Sequence, residues 1–350
     1  EHVHHHHAGH DQAHADEFTM LAQGAGAEIL ATVIAKRDRP DAKFFIGSGK
    51  VDEAKLVAET HGAEIVLFDQ ALSPAQQRNL ERAFNLRVID RVTLILDIFA
   101  LRAKSHEGKL QVELAQLQHL TTRLTRLWTH LERQQGGIGM RGPGESQLEM
   151  DKRMIGDKVR TLRERLRKVE RQRTTQRRAR SRSNTLSVSL VGYTNAGKST
   201  LFNALTRAGA YAADQLFATL DTTTRRIWLE NAGQVTISDT VGFIRDLPTT
   251  LIAAFKATLE ETVHADLLLH VIDASSPQRD EQIFEVNKVL QEINAQDIPT
   301  ILVYNKIDLA GYEPKVDIDD SGKVVRVYVS AQERTGLDGL RAAIAQAKID

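Results

Sequence analysis

The 350-residue sequence contains no cysteine, which excludes disulfide bonds and thiol chemistry. It also lacks an apolar run long enough to cross a membrane and shows no secretory signal, so we expect a cytoplasmic protein. Its 46 basic and 46 acidic residues cancel, which argues against a uniformly basic RNA binder. The chain is long enough for two or three domains with hydrophobic cores, and we expect it to act as a monomer.

The most specific motif is a complete phosphate-binding loop between an apolar strand-like run at residues 186–191 and a helical run at residues 200–207. The loop and the residue after it are Gly192, Tyr193, Thr194, Asn195, Ala196, Gly197, Lys198, Ser199 and Thr200. Glycines allow backbone N–H groups to close around a phosphate, and the helix N-terminus adds partial positive charge. Lys198 is predicted to reach the β- and γ-phosphates, and the Ser199 hydroxyl to bind Mg²⁺.

A second motif selects the base. A strand-like run at residues 300–304 leads into Asn305, Lys306 and, two residues later, Asp308. A carboxylate at Asp308 can accept hydrogen bonds from the N1–H and 2-amino groups of guanine, whereas against adenine it would stay unpaired at a high cost. Another strand-like run at residues 324–329 leads into Ser330 and Ala331, a usual place for a backbone contact to the guanine O6. The sequence therefore predicts that GTP and GDP are the nucleotides.

Two further segments lie between these motifs in the order a GTPase needs. After a short strand at residues 235–238 come Asp239, Thr240, Val241 and Gly242. We expect Asp239 to hold Mg²⁺ through a water and the Gly242 N–H to sense the γ-phosphate. Upstream, the run Phe217, Ala218, Thr219, Leu220 and Asp221 precedes three more threonines. One threonine there should bind Mg²⁺ and close over the γ-phosphate, but spacing does not choose among Thr219, Thr222, Thr223 and Thr224.

These strand-terminal motifs predict an α/β fold with an open, mostly parallel sheet, because ligands of such sheets bind beyond the carboxyl ends of the strands. Together with the segment at residues 136–149, the motifs resemble HflX-type GTPases of the Obg–HflX superfamily over residues 40–350. The resemblance implies that Thr219 is the Mg²⁺-binding threonine, and we take Lys198, Thr219 and Gly242 as the candidate catalytic residues. It also implies a factor that binds the large ribosomal subunit and separates stalled or idle ribosomes into subunits.

The middle of the chain is predicted to form an antiparallel helical coiled-coil hairpin at residues 105–183. Apolar residues keep a heptad rhythm on both arms, and Gly-rich residues 136–144 form the tip. Residues 151–182 carry 14 basic and four acidic residues, a net charge of +10. The alternative is a solvated linker, but the combined pattern favours contact with ribosomal RNA. The candidate RNA contacts are Gly137, Arg141, Gly142, Arg153, Arg160, Arg163 and Arg167.

The remaining segments are expected to form a histidine-rich tag or disordered leader at residues 1–16, an α/β domain at residues 17–104 and the GTPase domain at residues 184–350. In the α/β domain, strands are predicted at residues 29–35, 44–46, 65–68 and 88–89, and helices after Lys50 and Pro74. The segment Gly47-Ser48-Gly49-Lys50 permits a second, ATP-binding site, although it lacks the spacing of a phosphate loop and favours a tight turn.

The residue after Gly242 is Phe243, where many regulatory GTPases have a glutamine that orients water. A phenyl ring cannot supply that hydrogen bond, so we expect slow intrinsic hydrolysis that the large ribosomal subunit stimulates.

Asn195 stands where related GTPases coordinate K⁺, which makes K⁺ a candidate second cation beside Mg²⁺. Two other functions remain open: a GTPase of ribosome assembly or RNA modification, and a GTP-switched adaptor for a protein partner.

Overall fold

The computed structural model describes residues 8–35, 43–134, 143–182, 185–207, 223–254, 259 and 262–349. These residues belong to two compact units, one drawn from residues 1–102, 109–166 and 248–254, the other from residues 103–108, 167–247 and 255–350. The division into three domains made from the sequence stays a prediction. Within the described ranges, every helix is too short or too polar to span a bilayer.

The described helices and strands alternate through most of the chain. The helices are α1 Ala8–Gly24, α2 Ser48–His61, α3 Pro74–Phe84, α4 Arg91–Arg102, α5 His106–Gln134, α6 Pro143–Arg182, α7 Lys198–Thr206, α8 Thr249–Ala254, α9 Arg279–Glu292, α10 Ile307–Ala310 and α11 Leu337–Ile349. The strands are β1 Ile65–Phe68, β2 Arg87–Asp90, β3 Leu186–Gly192, β4 Thr223–Leu229, β5 Gly233–Asp239, β6 Leu267–Asp273, β7 Thr300–Asn305, β8 Lys315–Ile318 and β9 Val324–Tyr328.

In the first unit, β1 and β2 form a parallel pair with Ile65 opposite Arg87. The connection between them is α3, which starts at a capping box. The Ser73 hydroxyl accepts from the Gln76 N–H at 3.1 Å, and the Gln76 side chain accepts from the Ser73 N–H at 3.0 Å. Pro74 occupies the first helical position, where a missing N–H costs nothing. Local sequence thus determines where this helix begins.

Two predictions for the N-terminal segment are wrong. Residues 29–35 form no strand, and only Ala35 among them is buried, because Ile and Val favour a strand only where a neighbouring strand completes the ladder. Residues 44–46 are not a strand either, since Phe45 has a φ of 70°, outside the extended region. Phe45 instead packs edge-on against Phe68, with 6.2 Å between ring centroids.

α1 runs across the boundary expected between residues 16 and 17, so residues 8–16 are helical rather than a disordered leader. Tertiary contacts explain the difference. His14 and Leu21 are buried, and the carboxylate of Glu17 lies 3.2 Å from the guanidinium of Arg91. Arg91 also pairs with buried Asp69 at 2.6 Å, so the charges that leave water are compensated.

The two long helices α5 and α6 occupy the predicted hairpin, whose coiled-coil pairing stays a prediction. Residues 143–144 were expected in the non-helical tip, but they form the first turn of α6. Proline is favourable at this position because its φ matches a helix and its missing N–H would have no partner there. Gly137, Arg141 and Gly142 lie outside the described residues.

The second unit contains a seven-stranded sheet in the order β4-β5-β3-β6-β7-β9-β8. β3, β5, β6, β7 and β9 are parallel, whereas the outer strands β4 and β8 are antiparallel to their neighbours. This arrangement confirms the mixed, mostly parallel sheet. The sequence prediction missed the flanking strands and also β6, whose seven residues are all buried. The parallel strands place their carboxyl ends at one edge of the sheet.

Candidate nucleotide-binding site

The phosphate loop connects β3 to α7 at this edge, as the sequence predicted. Gly197 has a φ of 81°, which strongly favours glycine, and a Cβ there would lie 2.5 Å from the Asn305 side-chain amide. At the start of the loop, a Cβ on Gly192 would lie 2.6 Å from the carbonyl oxygen of Val271 on β6. The close packing of neighbouring strands and loops therefore requires both glycines.

Lys198 and Ser199 meet the end of β5. The Lys198 ammonium is buried and lies 2.5 Å from the Asp239 carboxylate, and it also donates to the Thr240 carbonyl. The Ser199 hydroxyl donates to the other Asp239 oxygen at 3.2 Å. The candidate phosphate-binding lysine and two of the three candidate Mg²⁺ ligands thus form one cluster. Oxygen donors of this kind suit Mg²⁺, a hard cation.

The segment after Asp239 continues across the phosphate loop. The Thr194 N–H donates to the Phe243 carbonyl at 2.7 Å, and the Phe243 N–H donates to the Gly192 carbonyl at 3.0 Å. Gly242 packs so closely that a Cβ would lie 2.9 Å from the Cα of Thr194. The Thr240 hydroxyl donates to the Leu190 carbonyl at 3.2 Å, and Val241 is buried. The two chain segments that the sequence assigned to the γ-phosphate are therefore in direct contact.

The loop after β7 supports the phosphate loop from the other side. The Asn305 side-chain N–H donates to the Ala196 carbonyl at 2.9 Å, and the Asn305 oxygen accepts from the Ala331 N–H at 3.0 Å. The Lys306 ammonium donates to the Asn195 carbonyl at 2.8 Å. Asn305 and Lys306 thus connect the phosphate loop to the loops that follow β7 and β9. Their role is to hold the phosphate-binding loop in position relative to the loops that should bind the base.

Asp308 is exposed at the start of α10, whereas Ser330 beside it is fully buried. The Ser330 hydroxyl donates to one Asp308 carboxylate oxygen at 2.9 Å and accepts from the Glu333 N–H at 3.1 Å. The hydroxyl therefore restrains the carboxylate while leaving it open to solvent. This geometry suits a carboxylate that receives two N–H groups from a planar base.

Other site predictions have a different outcome. Phe217, Ala218, Thr219, Leu220, Asp221 and Thr222 lie outside the described residues. Thr223 and Thr224 belong to β4, where the Thr224 and Ser238 hydroxyls are 2.9 Å apart.

Sequence reasoning missed Asp273, which ends β6 and lies 3.5 Å from the Lys306 ammonium. The signal was available, since an apolar run ending in a carboxylate resembles the motif at Asp239.

The candidate RNA-binding arginines Arg153, Arg160, Arg163 and Arg167 are all exposed on α6. Arg153, Arg160 and Arg167 recur every seven residues, which places them on one face of the helix. Arg160 pairs with Asp157 one turn away.

The segment Gly47–Lys50, the candidate second nucleotide site, lies in the first unit. Its Lys50 pairs with Glu53 at 3.0 Å in the first part of α2.

A phosphate loop after β3, with a carboxylate at the end of β5 and an Asn-Lys-x-Asp motif that begins at the last residue of β7, defines a P-loop GTPase. Three family models match the chain in succession. They are described as GTP-binding GTPase N-terminal at residues 12–100, GTP-binding GTPase Middle Region at residues 102–180 and 50S ribosome-binding GTPase at residues 187–306.

Similar proteins extend the match over almost the whole chain. GTPase HflX of Escherichia coli is 56% identical over 96% of this chain and 79% of its own length. GTPase HflX of Caldanaerobacter subterraneus is 48% identical over 95% of this chain and 77% of its own. The chain therefore belongs to the GTPase HflX family, and it binds and hydrolyses GTP.

A solved GTP-binding protein from Sulfolobus solfataricus in complex with GDP is 26% identical. It covers 97% of this chain and 96% of its own length, with a TM-score of 0.47.

Proposed function

We propose that this GTPase binds the large ribosomal subunit in its GTP-bound form and dissociates ribosomes into subunits, after which hydrolysis permits release. The observation that carries the proposal is the basic face of α6. This helix has 40 residues and is about 60 Å long at the rise of an α-helix. Its exposed arginines suit the phosphates of ribosomal RNA, and the description of the matching GTPase-domain family names the 50S subunit.

The GTP site would perform the chemistry mainly by positioning and by neutralising charge. Lys198 would exchange its contact with Asp239 for the β- and γ-phosphates. Mg²⁺, held by Ser199, Thr219 and a water on Asp239, would neutralise charge on the phosphate oxygens. Gly242 would direct its N–H at the γ-phosphate, and Asp308 would select guanine.

The identity of the residue after Gly242 argues for a slow reaction without a partner. Phe243 is fully buried and its backbone is bonded to Gly192 and Thr194, so its ring is a packing group. No hydrogen bond from this side chain can orient the attacking water. We therefore propose that contact with the large subunit completes the catalytic arrangement, and that this contact accelerates hydrolysis.

K⁺ is the second cation proposed for the site. The side-chain oxygen of Asn195 is buried and has no hydrogen-bond partner among the described residues. Leaving a buried amide oxygen unpaired is costly, and a monovalent cation beside the phosphates would satisfy it. Asn195 would then help to neutralise the charge that develops during hydrolysis.

The test is steady-state GTP hydrolysis with and without purified large ribosomal subunits at matched salt. We expect at least about tenfold stimulation, equivalent to about 1.4 kcal/mol of barrier. Deleting residues 136–144 should abolish the stimulation while GTP binding persists. The double variant Arg153→Glu/Arg167→Glu should reduce it, whereas the charge-matched control Lys323→Glu/Arg334→Glu, at exposed positions outside α6, should not.

Ribosome dissociation is followed separately by light scattering with a non-hydrolysable GTP analogue. The proposal predicts dissociation with the analogue and slow release afterwards. Binding of GTP without any stimulation by large subunits would contradict the proposed partner. Dissociation that stops with the analogue would contradict the proposed order of splitting and hydrolysis.

A further inference from the structure

A groove of about 520 Å³ in the first unit lies between α5, α6 and α8. Its polar lining includes the cations Lys152 and Arg163 and the hydroxyl groups Thr121, Thr249 and Thr250. Among the described lining residues there is no aspartate or glutamate. The Thr121 hydroxyl already donates to the Leu117 carbonyl at 2.9 Å, so the groove offers the two cations and the hydroxyls of Thr249 and Thr250. Such a concave surface is complementary to an anion with several acceptor oxygens.

The two cations are also available to a ligand. In the part of the chain that the structure describes, neither Lys152 nor Arg163 forms an ion pair with a carboxylate. By contrast, Arg160, three residues before Arg163 on the same helix, pairs with Asp157. The charge that lines the groove is therefore not neutralised within the described protein, whereas a neighbouring charge on the same helix is.

Gly156 also lines the groove and leaves open space beside α6. It lies inside the long helix α6, where glycine is less favourable than almost any other residue. A Cβ at this position would meet nothing nearer than the Arg160 side chain at 4.0 Å, so neighbouring atoms do not require glycine. Lys152, Gly156 and Arg163 follow the spacing of one helical face. A larger side chain at position 156 would project into the groove.

We propose that this groove binds a phosphate group of the RNA backbone, held by Lys152, Arg163 and the hydroxyls of Thr249 and Thr250. The inference extends the proposed function, because it names a specific RNA contact and includes a helix not assigned to RNA from the sequence. α8 begins six residues after Phe243, so it follows the Asp239–Phe243 segment along the chain. A phosphate in the groove would contact both the basic helix α6 and α8.

The experiment measures binding of the full chain to large ribosomal subunits, with a non-hydrolysable GTP analogue, over a series of salt concentrations. Arg163→Glu should weaken binding at least tenfold and lower the salt slope by about one, since one phosphate contact is lost. Arg165→Glu is the matched control, because it is exposed on α6 but does not line the groove. Equal effects of the two variants would overturn the proposal.

Gly156→Met tests the groove without changing charge. Methionine favours a helix more than glycine does, so circular dichroism should show that α6 is kept. We expect a three- to tenfold loss of binding, whereas Thr161→Met at an exposed position of α6 should bind as the parent chain does. Unchanged binding by Gly156→Met would show that the groove takes no ligand.

A short RNA duplex of arbitrary sequence separates this inference from the proposed function. One outcome is that the chain does not bind large subunits but binds the duplex, and that Arg163→Glu weakens duplex binding whereas Arg165→Glu does not. In that case the ribosomal function fails while the groove assignment stands. If inorganic phosphate at millimolar concentration displaces the duplex, the groove is a small-anion site and the RNA assignment is overturned. Preference for a polyglutamate peptide over the duplex would assign the groove to an acidic protein and overturn it as well.

Discussion

The hydroxyl of Tyr193 accepts a hydrogen bond from the backbone N–H of Arg245 at 3.0 Å. This bond joins the second residue of the phosphate loop to the segment that follows Gly242. The same two segments are also joined through Thr194 and Phe243 at 2.7 Å. Because Thr194 belongs to the loop that should surround the phosphates, a γ-phosphate and the Phe243 carbonyl would compete for its N–H.

Tyr193→Phe should therefore raise the affinity for a GTP analogue relative to GDP. The ring is kept, while one hydrogen bond that holds the segment against the loop is lost. A bond of this kind contributes about 1 kcal/mol, so we expect the ratio of the two affinities to change by about two- to tenfold. Fluorescent GDP and GTP analogues measure both constants. An unchanged ratio would show that the Tyr193 hydroxyl is indifferent to the γ-phosphate.

Gly242→Ala should reduce GTP hydrolysis on the order of 100-fold, because the new Cβ would displace this segment from Thr194 and misplace the catalytic N–H. GDP affinity should stay within about twofold, since the contact concerns the γ-phosphate side. Single-turnover hydrolysis and GDP titration provide the two measurements. Gly49→Ala is the control, because a Cβ there meets no atom within 4 Å. Full activity of Gly242→Ala would contradict the assigned role.

Ser330→Ala should weaken GTP binding by about fivefold, corresponding to about 1 kcal/mol, because the Asp308 carboxylate loses the hydroxyl that restrains it. The hydrolysis rate at saturating GTP should change little. Ser321→Ala is a matched control, since Ser321 donates to Asp319 at the same 2.9 Å in an exposed turn. If both variants bind GTP equally, the Ser330–Asp308 bond does not contribute to base recognition.

Asn195→Ala should remove the proposed effect of K⁺. In the parent chain we expect single-turnover hydrolysis to be about tenfold faster in K⁺ than in Na⁺ at constant Mg²⁺, equivalent to about 1.4 kcal/mol. The variant should hydrolyse GTP at the same slow rate in both salts. Asn287→Ala, on the exposed face of α9, is the control. Equal parent rates in K⁺ and Na⁺ would exclude the cation role.

Stability should fall at acidic pH because of His270 in the central strand β6. Burial lowers the pKa of His270 from 6.5 to about 4. As the pH falls below 6.5, His270 is protonated in the unfolded chain but stays neutral in the folded chain. The free energy of unfolding therefore has its full value above pH 6.5 and decreases as the pH falls towards 4. The full effect is about 3 kcal/mol. Denaturant unfolding of His270→Leu should show a smaller loss over this range.

The matched control for this pH dependence is His264→Gln, because His264 is exposed. This variant should keep the same loss of stability as the parent chain. If His270→Leu and the parent chain lose equal stability between pH 6.5 and pH 4, other groups cause the effect.

The sequence by itself determined the elements whose signals are local. The phosphate loop, the Asp239 segment and the Asn305–Asp308 loop each combine an apolar strand with special residues directly after it, and each was predicted in the correct place. The capping box at Ser73 and Pro74 likewise encodes a helix start within four residues. Such features depend on backbone preferences and on hydrogen bonds between near neighbours, which a short stretch of sequence contains.

Only the tertiary structure decided which distant residues meet. The Tyr193–Arg245 and Ser330–Asp308 bonds, the position of β6 between β3 and β7, and the groove beside Arg163 depend on strand order and helix packing. The same dependence explains why residues 29–35 form no strand despite their composition. A strand and a buried polar contact are each stabilised by a partner far away in the chain, and no local pattern specifies that partner.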